Sequence, residues 1–235
     1  YFINNGFEWY IDDKTSLLGS FFYNDYSSNN LESNTIRELD VNSNILNTII
    51  QNDYEDDVDN NREYNLNFEK KLDEDGQLIT IDLQYENSKE WENSIIDENS
   101  IVNESVIENI KSESYLIRSD FVFPIGENRQ FEAGIRIESE DDITDYKVYD
   151  NIDNVFVEDL NQSNLFQYKE QISALYTQYG VKVDEKYSFL LGLRLENTLK
   201  NVNQLTIQDF TKIDDTGLFP TFNFGLEFGD DETLT

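Results

Sequence analysis

The chain has 235 residues, of which 49 are acidic and 17 basic, so its formal net charge at pH 7 is −32. This charge argues against nucleic acid as a partner, and against docking on an anionic membrane through a basic patch, because both require clustered Lys and Arg. Cysteine and histidine are absent, which excludes disulfides, thiol chemistry and the commonest general base and metal ligand. Aromatic residues make up 14% of the chain, which indicates a folded protein rather than an acidic disordered one.

The sequence carries no signature of an enzyme. It contains no nucleophile elbow, no phosphate-binding loop and no metal box. We therefore expect no catalytic activity and no cofactor. No run reaches the roughly 18–20 apolar residues of a transmembrane helix, but a membrane-spanning β-strand needs only about 9–11 residues, half of which can be polar.

Alternation of apolar and polar residues predicts nine to ten strands and little helix. In residues 78–86, Ile79, Ile81, Leu83 and Tyr85 fall on one face, and the intervening residues on the other are polar. In chain order, the alternating apolar residues of the other predicted strands are Trp9 and Ile11; Leu17, Phe21 and Tyr23; Tyr64, Leu66 and Phe68; Tyr115, Ile117, Phe121 and Phe123; Phe131, Ala133, Ile135 and Ile137; Phe166, Tyr168, Ile172, Ala174 and Tyr176; Tyr187, Phe189, Leu191, Leu193 and Leu195; and Phe222, Phe224, Leu226 and Phe228.

Strands with one apolar and one polar face predict either two stacked sheets or one sheet closed into a membrane barrel. Short turns near Asp12, Asp73, Gly126, Asp184 and Gly229 alternate with long polar stretches, which we predict to be loops. These stretches cover residues 27–61, 87–109, 140–164 and 198–217. In an up-and-down sheet all short turns then lie at one end, as in outer-membrane barrels. The alternative is a secreted, soluble β-sandwich for adhesion or glycan binding.

Two strands share an internal repeat. Residues Ala133–Glu138 match Leu191–Glu196, and in each the Gly, Arg and Glu fall on the polar face. We predict that the Gly relieves crowding and that the Arg–Glu pair neutralises its own charge; contact with a substrate is the alternative.

Two further groups of residues are candidates for specific roles. Aromatic residues near predicted strand ends could form an interfacial girdle; they are Trp9, Tyr10, Tyr23, Tyr176 and Tyr187. The densest acidic cluster offers the oxygen ligands that Ca²⁺ prefers, but it lacks the Gly and the terminal Glu of an EF-hand. It is at most a weak Ca²⁺ site in a solvated loop, formed by Asp53, Glu55, Asp56, Asp57 and Asp59.

Four segments, in order, resemble the Bacteroidota outer-membrane β-barrel family that is related to TonB-dependent receptors. Residues Phe166–Tyr176 resemble its Y-x-E-x-I-x-A-x-Y strand, and Leu191–Glu196 its G-L-R-x-E signature. Residues Leu218–Phe222 resemble its L-F-P-S entry, and Asn5–Leu17 are similar to another of its hairpins.

This resemblance implies a fold and a function. Residues 1–235 would be a single segment of a transmembrane barrel of about 22 strands, without a plug domain. The whole protein would lie in the outer membrane, in contact with its lipid, and import a large nutrient such as a metal chelate or a glycan. A TonB-type energy-coupling protein and a surface lipoprotein would bind through parts outside this chain. The polar stretches would form acidic extracellular loops.

Overall fold

The computed structural model describes residues 1–184, 186–227 and 233–234. Within these residues the secondary structure consists of eleven β-strands, and no helix is long and apolar enough to cross a membrane. The strands are β1 (Phe2–Asp12), β2 (Thr15–Leu39), β3 (Ile45–Lys71), β4 (Leu78–Glu98), β5 (Ile101–Pro124), β6 (Arg129–Ile152), β7 (Val155–Glu158), β8 (Asn164–Val183), β9 (Tyr187–Gln204), β10 (Asp209–Glu227) and β11 (Thr233–Leu234).

The strands form one antiparallel sheet, which is not closed. Their order follows the chain from β1 to β11, except that the short β7 folds back on β6 and lies off the path. The ten strands on the path confirm the predicted up-and-down meander. No second sheet covers the described part of the chain, and its only buried apolar residues are Val148 and Ala174. The sandwich alternative is therefore wrong, because a sandwich buries one face of each sheet in a common core.

The stretches predicted as long loops are strands. β2 and β3 stay paired from Thr15 opposite Lys70 to Leu39 opposite Ile45, and only residues 40–44 connect them. The connection between β4 and β5 is just Asn99 and Ser100. Alternation of hydropathy fades in these stretches because both faces are polar, but the backbone ladder continues.

Amide–carboxylate pairs across the strands accompany this continued ladder. The Asn30 Nδ2 donates to Glu55 Oε1 at 3.0 Å, and the Asn52 Nδ2 donates to Asp97 Oδ1 at 3.0 Å. Asn and Asp are uncommon in strands in general, but such cross-strand pairs give their polar side chains partners within the sheet. The two ends of the sheet therefore differ in how far the strands extend, and not in the length of the loops that connect them.

The two ends of the sheet are named here by composition. The apolar end holds the connections at 13–14, 72–77, 125–128 and 184–186, and the polar end holds those at 40–44, 99–100, 153–154, 159–163 and 205–208. The predicted turn residue Glu185 lies outside the described residues, as do Phe228 and the turn predicted at 229–232.

The two faces of the sheet are inverted relative to a soluble protein. The outer face carries Ile81, which is 36% exposed, and Leu175, which is 58% exposed. The inner face carries Asp82, Arg136 and other polar residues, which are on the whole less exposed than the apolar ones. Cross-strand pairing places six residues from two of the predicted apolar faces together on the outer face, namely Ile79, Ile81, Leu83, Phe222, Phe224 and Leu226. An apolar side that is the more exposed one is typical of a membrane barrel, whose outside meets lipid.

The apolar residues of the outer face form a band that crosses the strands obliquely. Phe68 is the last apolar residue on the outer face of β3. Its successive cross-strand partners lead, over six strand pairs, to Leu218 on β10. On β10 the band continues to Leu226, eight residues further. The edge of the band therefore shifts along the strand direction by somewhat more than one residue from each strand to the next. With about 3.3 Å per residue and about 4.8 Å between strands, this shift corresponds to strands tilted by about 40° from the direction perpendicular to the band. Barrel strands cross membranes at this tilt.

Candidate functional site

The inner face at the depth of the apolar band carries a network of paired charges. The Arg118 Nε and Nη2 donate to Asp82 Oδ2 at 2.9 and 2.7 Å, and the same guanidinium lies 3.4 Å from the Asp120 carboxylate. Arg118 stands directly opposite Arg136, and like charges in that position repel. Each arginine has its own carboxylate, since Arg136 pairs with Glu138 at 2.7 Å. The network is therefore internally compensated.

Tyr176 joins this network, contrary to its prediction as a girdle residue. It lies on the inner face, opposite Gly134 and Arg194, and its hydroxyl donates to Asp120 Oδ1. The Arg194 guanidinium lies 5.7 Å from the centre of its ring. Tyr10 is on the inner face too, opposite Ser16. The pairing places the other three predicted girdle residues on the outer face: Trp9, Tyr23 and Tyr187.

The two copies of the repeat have the same ion pair but different glycine environments. Arg194 pairs with Glu196 at 2.6 Å, as Arg136 pairs with Glu138. A Cβ on Gly134 would lie 2.5 Å from the Tyr176 ring, whereas one on Gly192 would meet nothing closer than 3.4 Å. Relief of crowding therefore explains Gly134, and it does not explain Gly192.

The outer face has an aromatic row at the boundary of the band, on β2 to β5. The rings of Tyr64 and Tyr85 stack with centroids 6.0 Å apart, and those of Tyr85 and Tyr115 lie 4.8 Å apart. Phe21 continues the row, 5.0 Å from Tyr64. Sequence alternation identified these four as apolar-face residues but missed their alignment, because alignment depends on register between strands.

Beyond this row, the inner face of the polar end is acidic. Asp53, Glu55, Asp57 and Asp59 alternate along β3 on this face, and the ladder brings Glu90 and Glu92 of β4 beside them. Between β2 and β6 the inner face of this region carries no Lys or Arg. The acidic residues thus form a continuous wall.

The predicted Ca²⁺ ligands do not converge. Asp56 lies on the outer face, where the Asn29 amide donates to its carboxylate, and so it points away from the other four. Asp53 and Asp59 stand six residues apart along an extended strand, which is roughly 20 Å. Within residues 1–184, 186–227 and 233–234, no three acidic side chains are grouped so that they could hold one ion.

Burial and mutual repulsion act on the carboxylates of this wall. Burial, followed by repulsion from Asp57 and Asp59, raises the pKa of Glu90. The pKa of Glu92 is raised by burial and then by Glu55 and Glu108. On β5, burial and the nearby Asp150 raise the pKa of Glu104. These shifts mark a surface where negative charge is concentrated without compensation.

Comparisons with known proteins agree with this architecture. A profile described as the outer membrane protein beta-barrel family matches residues 70–235. No curated protein matches the sequence. The solved structure of the unliganded ferric citrate transporter FecA is similar, with a TM-score of 0.53 and 11% identity over 92% of this chain and 34% of that one. At that identity the likeness shows the fold alone.

Two other receptors have lower structural similarity. The ferric yersiniabactin uptake receptor FyuA from Yersinia pestis has a TM-score of 0.41 and 9% identity over 97% of this chain and 43% of its own. The siderophore receptor PiuA from Acinetobacter baumannii has a TM-score of 0.45 and 12% identity over 91% and 40%. The chain therefore spans less than half the length of each of these receptors.

Proposed function

Because this chain belongs to the outer membrane protein beta-barrel family, we propose that it forms part of the wall of a TonB-dependent-receptor-like barrel that takes up a nutrient. The observation that carries the proposal is the inverted sheet, with apolar residues on the exposed outer face and a compensated charge network on the inner face. The outer membrane is the chain's location, and membrane lipid contacts its outer face. We further propose that residues 1–235 form one barrel segment that contains no plug domain, and the four segments that resemble the Bacteroidota family support a source in that group.

The inner-face network suits a lumen that holds water or another protein segment. Arg118 and Arg136 each have a carboxylate partner, so neither needs to be neutralised by a solute. The network maintains the wall rather than performing chemistry, which fits a transport protein and not an enzyme. A TonB-type energy-coupling protein and a surface lipoprotein would act through other parts of the parent protein.

The polar end lies outside the cell in this proposal. Strands that continue past the aromatic row lengthen the wall beyond the membrane, as extracellular segments of outer-membrane barrels do. The acidic wall around Asp57, Glu90 and Glu92 would give the entrance a negative potential, which repels polyanions and concentrates cations. We therefore propose that the nutrient is neutral or cationic overall.

Uptake by cells that carry or lack the full-length parent protein tests the proposal. Neutral oligosaccharides and neutral or cationic metal chelates serve as probes, with a polyanionic chelate for comparison. At least one neutral or cationic probe should accumulate only with the parent present, and a protonophore should stop the accumulation. Accumulation of no probe, or of the polyanionic chelate alone, would count against the assignment.

Membrane residence has its own test. The parent should fractionate with outer membranes and need detergent for extraction. Recovery of a stable monomer in detergent-free buffer would contradict the barrel.

A further inference from the structure

The strands β7 and β8 occupy the same position in the sheet, one after the other along β6. β8 pairs with β6 up to Tyr146, and β7 continues this position along residues 149–152 of β6. The next position belongs to β9, which ends at Gln204 before the chain turns at 205–208. Among the described residues, β7 therefore has β6 on one side and no strand on the other.

The free side of β7 carries backbone groups that can form hydrogen bonds. The Asp159 N–H donates to the Val148 carbonyl at 2.8 Å, which fixes the phase of the ladder between β6 and β7. In an antiparallel ladder only alternate residues bond to a given neighbour, so Phe156 and Glu158 point their N–H and C=O groups away from β6. No backbone bond within the described chain uses these groups, so they offer two donors and two acceptors along a free edge.

The composition of this edge suits the addition of a strand. Natural sheets protect a free edge with Lys or Pro, with a bulge, with a cover or by making the edge strand very short. β7 contains neither Lys nor Pro, and its described pairing with β6 has no register shift. Val155, Phe156 and Val157 are all exposed. Only its length of four residues protects β7, and this length limits an added strand to a similar size.

Closure of the proposed barrel does not cover the free side of β7. Further strands of the parent join the sheet at its two outer sides, next to β1 and beyond β10. The positions of β9 and β10 lie between the second of these sides and β7. A strand that pairs with β7 therefore comes from outside the barrel wall.

The charge around β7 favours a basic occupant. Residues 145–163 contain five acidic side chains, namely Asp145, Asp150, Asp153, Glu158 and Asp159. Lys147 is the single basic residue of this stretch, and it pairs with Asp145 at 3.1 Å. A second copy of the chain would bring two sets of these carboxylates together, and like charges repel across an interface. A segment rich in Lys and Arg has the complementary charge.

We propose that an extended, basic segment of a partner protein at the cell surface adds to the free edge of β7 as a strand. The N–H and C=O groups of Phe156 and Glu158 bond to the backbone of this segment. Its alternate apolar residues pack beside Val155 and Val157, and its Lys and Arg residues meet the surrounding carboxylates. The location at the cell surface rests on the proposed orientation, in which the polar end lies outside the cell.

Binding of a synthetic peptide to the full-length parent in detergent tests the edge. The probe is fluorescein-labelled Lys-Thr-Val-Thr-Val-Lys, and fluorescence anisotropy measures its dissociation constant. Phe156→Pro removes one free donor, and because this N–H does not bond to β6, the ladder between β6 and β7 stays intact. We expect Phe156→Pro to bind the peptide about tenfold more weakly than the wild type. The matched variant Phe156→Val keeps the donor and should bind nearly as tightly as the wild type.

Two modified peptides test the same contacts on the unaltered protein. A peptide that is N-methylated at the residues facing β7 cannot donate to it and should not bind. A peptide with Glu in place of both Lys residues should bind far more weakly, because its charge has the sign of the edge. Equal binding of the probe and its N-methylated form would overturn the proposal. So would equal binding by the wild type and Phe156→Pro, with heat-modifiable gel migration intact in both.

Two measurements check the choice of occupant. In analytical ultracentrifugation the wild type and Phe156→Pro should have the same oligomeric state; a dimer that Phe156→Pro dissociates would make a second copy the occupant and overturn the choice of a partner protein. The probe should not accumulate in cells that carry the parent. Accumulation that a protonophore stops would make the peptide a nutrient and overturn the same choice. Binding is measured without uptake of any other probe, so failure of the proposed transport function would be seen separately.

Discussion

Tyr176 on β8 donates its hydroxyl to Asp120 on β5, although β6 lies between these two strands. The contact is possible because the residue between them on β6 is Gly134, which has no side chain to block the reach. Asp120 also lies 3.4 Å from Arg118, so this bond ties β8 to the charge network of β4 and β5. The relationship makes Gly134 a structural requirement of the inner face.

Gly134→Ala should therefore destabilise the barrel, whereas Gly192→Ala should not. The new Cβ at Gly134 would lie 2.5 Å from the Tyr176 ring and 2.6 Å from Asp120 Oδ1, so the ring must move and the hydrogen bond breaks. We expect a loss of about 1–3 kcal/mol in the free energy of unfolding of the parent in detergent, measured by urea denaturation. Equal urea midpoints for Gly134→Ala and Gly192→Ala would contradict the structural role assigned to Gly134.

Arginine substitutions should distinguish the two faces of β4. Ile81→Arg puts a charge into lipid in the middle of the apolar band, at a cost of about 2–4 kcal/mol. Gln84→Arg puts it on the polar inner face and should be tolerated. Asp82 is an unsuitable control, because replacing it would remove the partner of Arg118. Heat-modifiable migration of the parent on gels should be impaired by Ile81→Arg and kept by Gln84→Arg. Loss of this migration in Gln84→Arg and its retention in Ile81→Arg would show that the two faces are assigned the wrong way round.

Single cysteines should report the orientation, since the natural chain has none. Val41, fully exposed in the connection between β2 and β3, marks the polar end, and Asp75 marks the apolar end. In intact cells a membrane-impermeant maleimide should label Val41→Cys but not Asp75→Cys. Permeabilising the outer membrane should make Asp75→Cys reactive. Labelling of both in intact cells would break the up-and-down assignment.

The acidic wall should make the polar end more stable in mild acid. The pKa values of Glu90, Glu92 and Glu104 are raised in the fold, so the folded state binds protons more readily than the unfolded state. Folding is therefore disfavoured above these raised pKa values. As the pH falls through these pKa values towards the ordinary pKa of Glu, the carboxylates are protonated and their repulsion is relieved. The loss of folding stability that this repulsion causes then disappears.

Hydrogen exchange over residues 88–98 measures this effect. After correction for intrinsic rates, protection should rise several-fold as the pH is lowered from neutrality. Glu90→Gln/Glu92→Gln should raise protection at neutral pH and flatten the pH dependence, while Asp75→Asn at the other end should change neither. A double variant with unchanged protection would show that the repulsion does not limit stability.

Strand type and most of the side-chain faces can be predicted from local alternation along the chain. In residues 78–86 and 222–226 the alternation has one clear phase, and the pairing confirms it. Side-chain direction in a strand is a local property, so the polar placement of Arg136 and Arg194 was also predictable. The resemblance of four segments was enough to indicate the family.

Features that depend on neighbouring strands become visible only in the folded sheet. On β8 the predicted apolar face is wrong, because apolar residues occupy both faces of this strand and local alternation selects the wrong one. Leu175 lies on the outer face, and the five predicted residues lie on the inner face: Phe166, Tyr168, Ile172, Ala174 and Tyr176. Polar stretches were mistaken for loops because their strand character resides in backbone ladders and Asn–carboxylate pairs, which hydropathy does not record. Likewise, Lys89 and Lys111 are 22 positions apart in sequence and become partners only through register. Register is set by pairing between strands and their turns, and therefore it is not contained in any one segment.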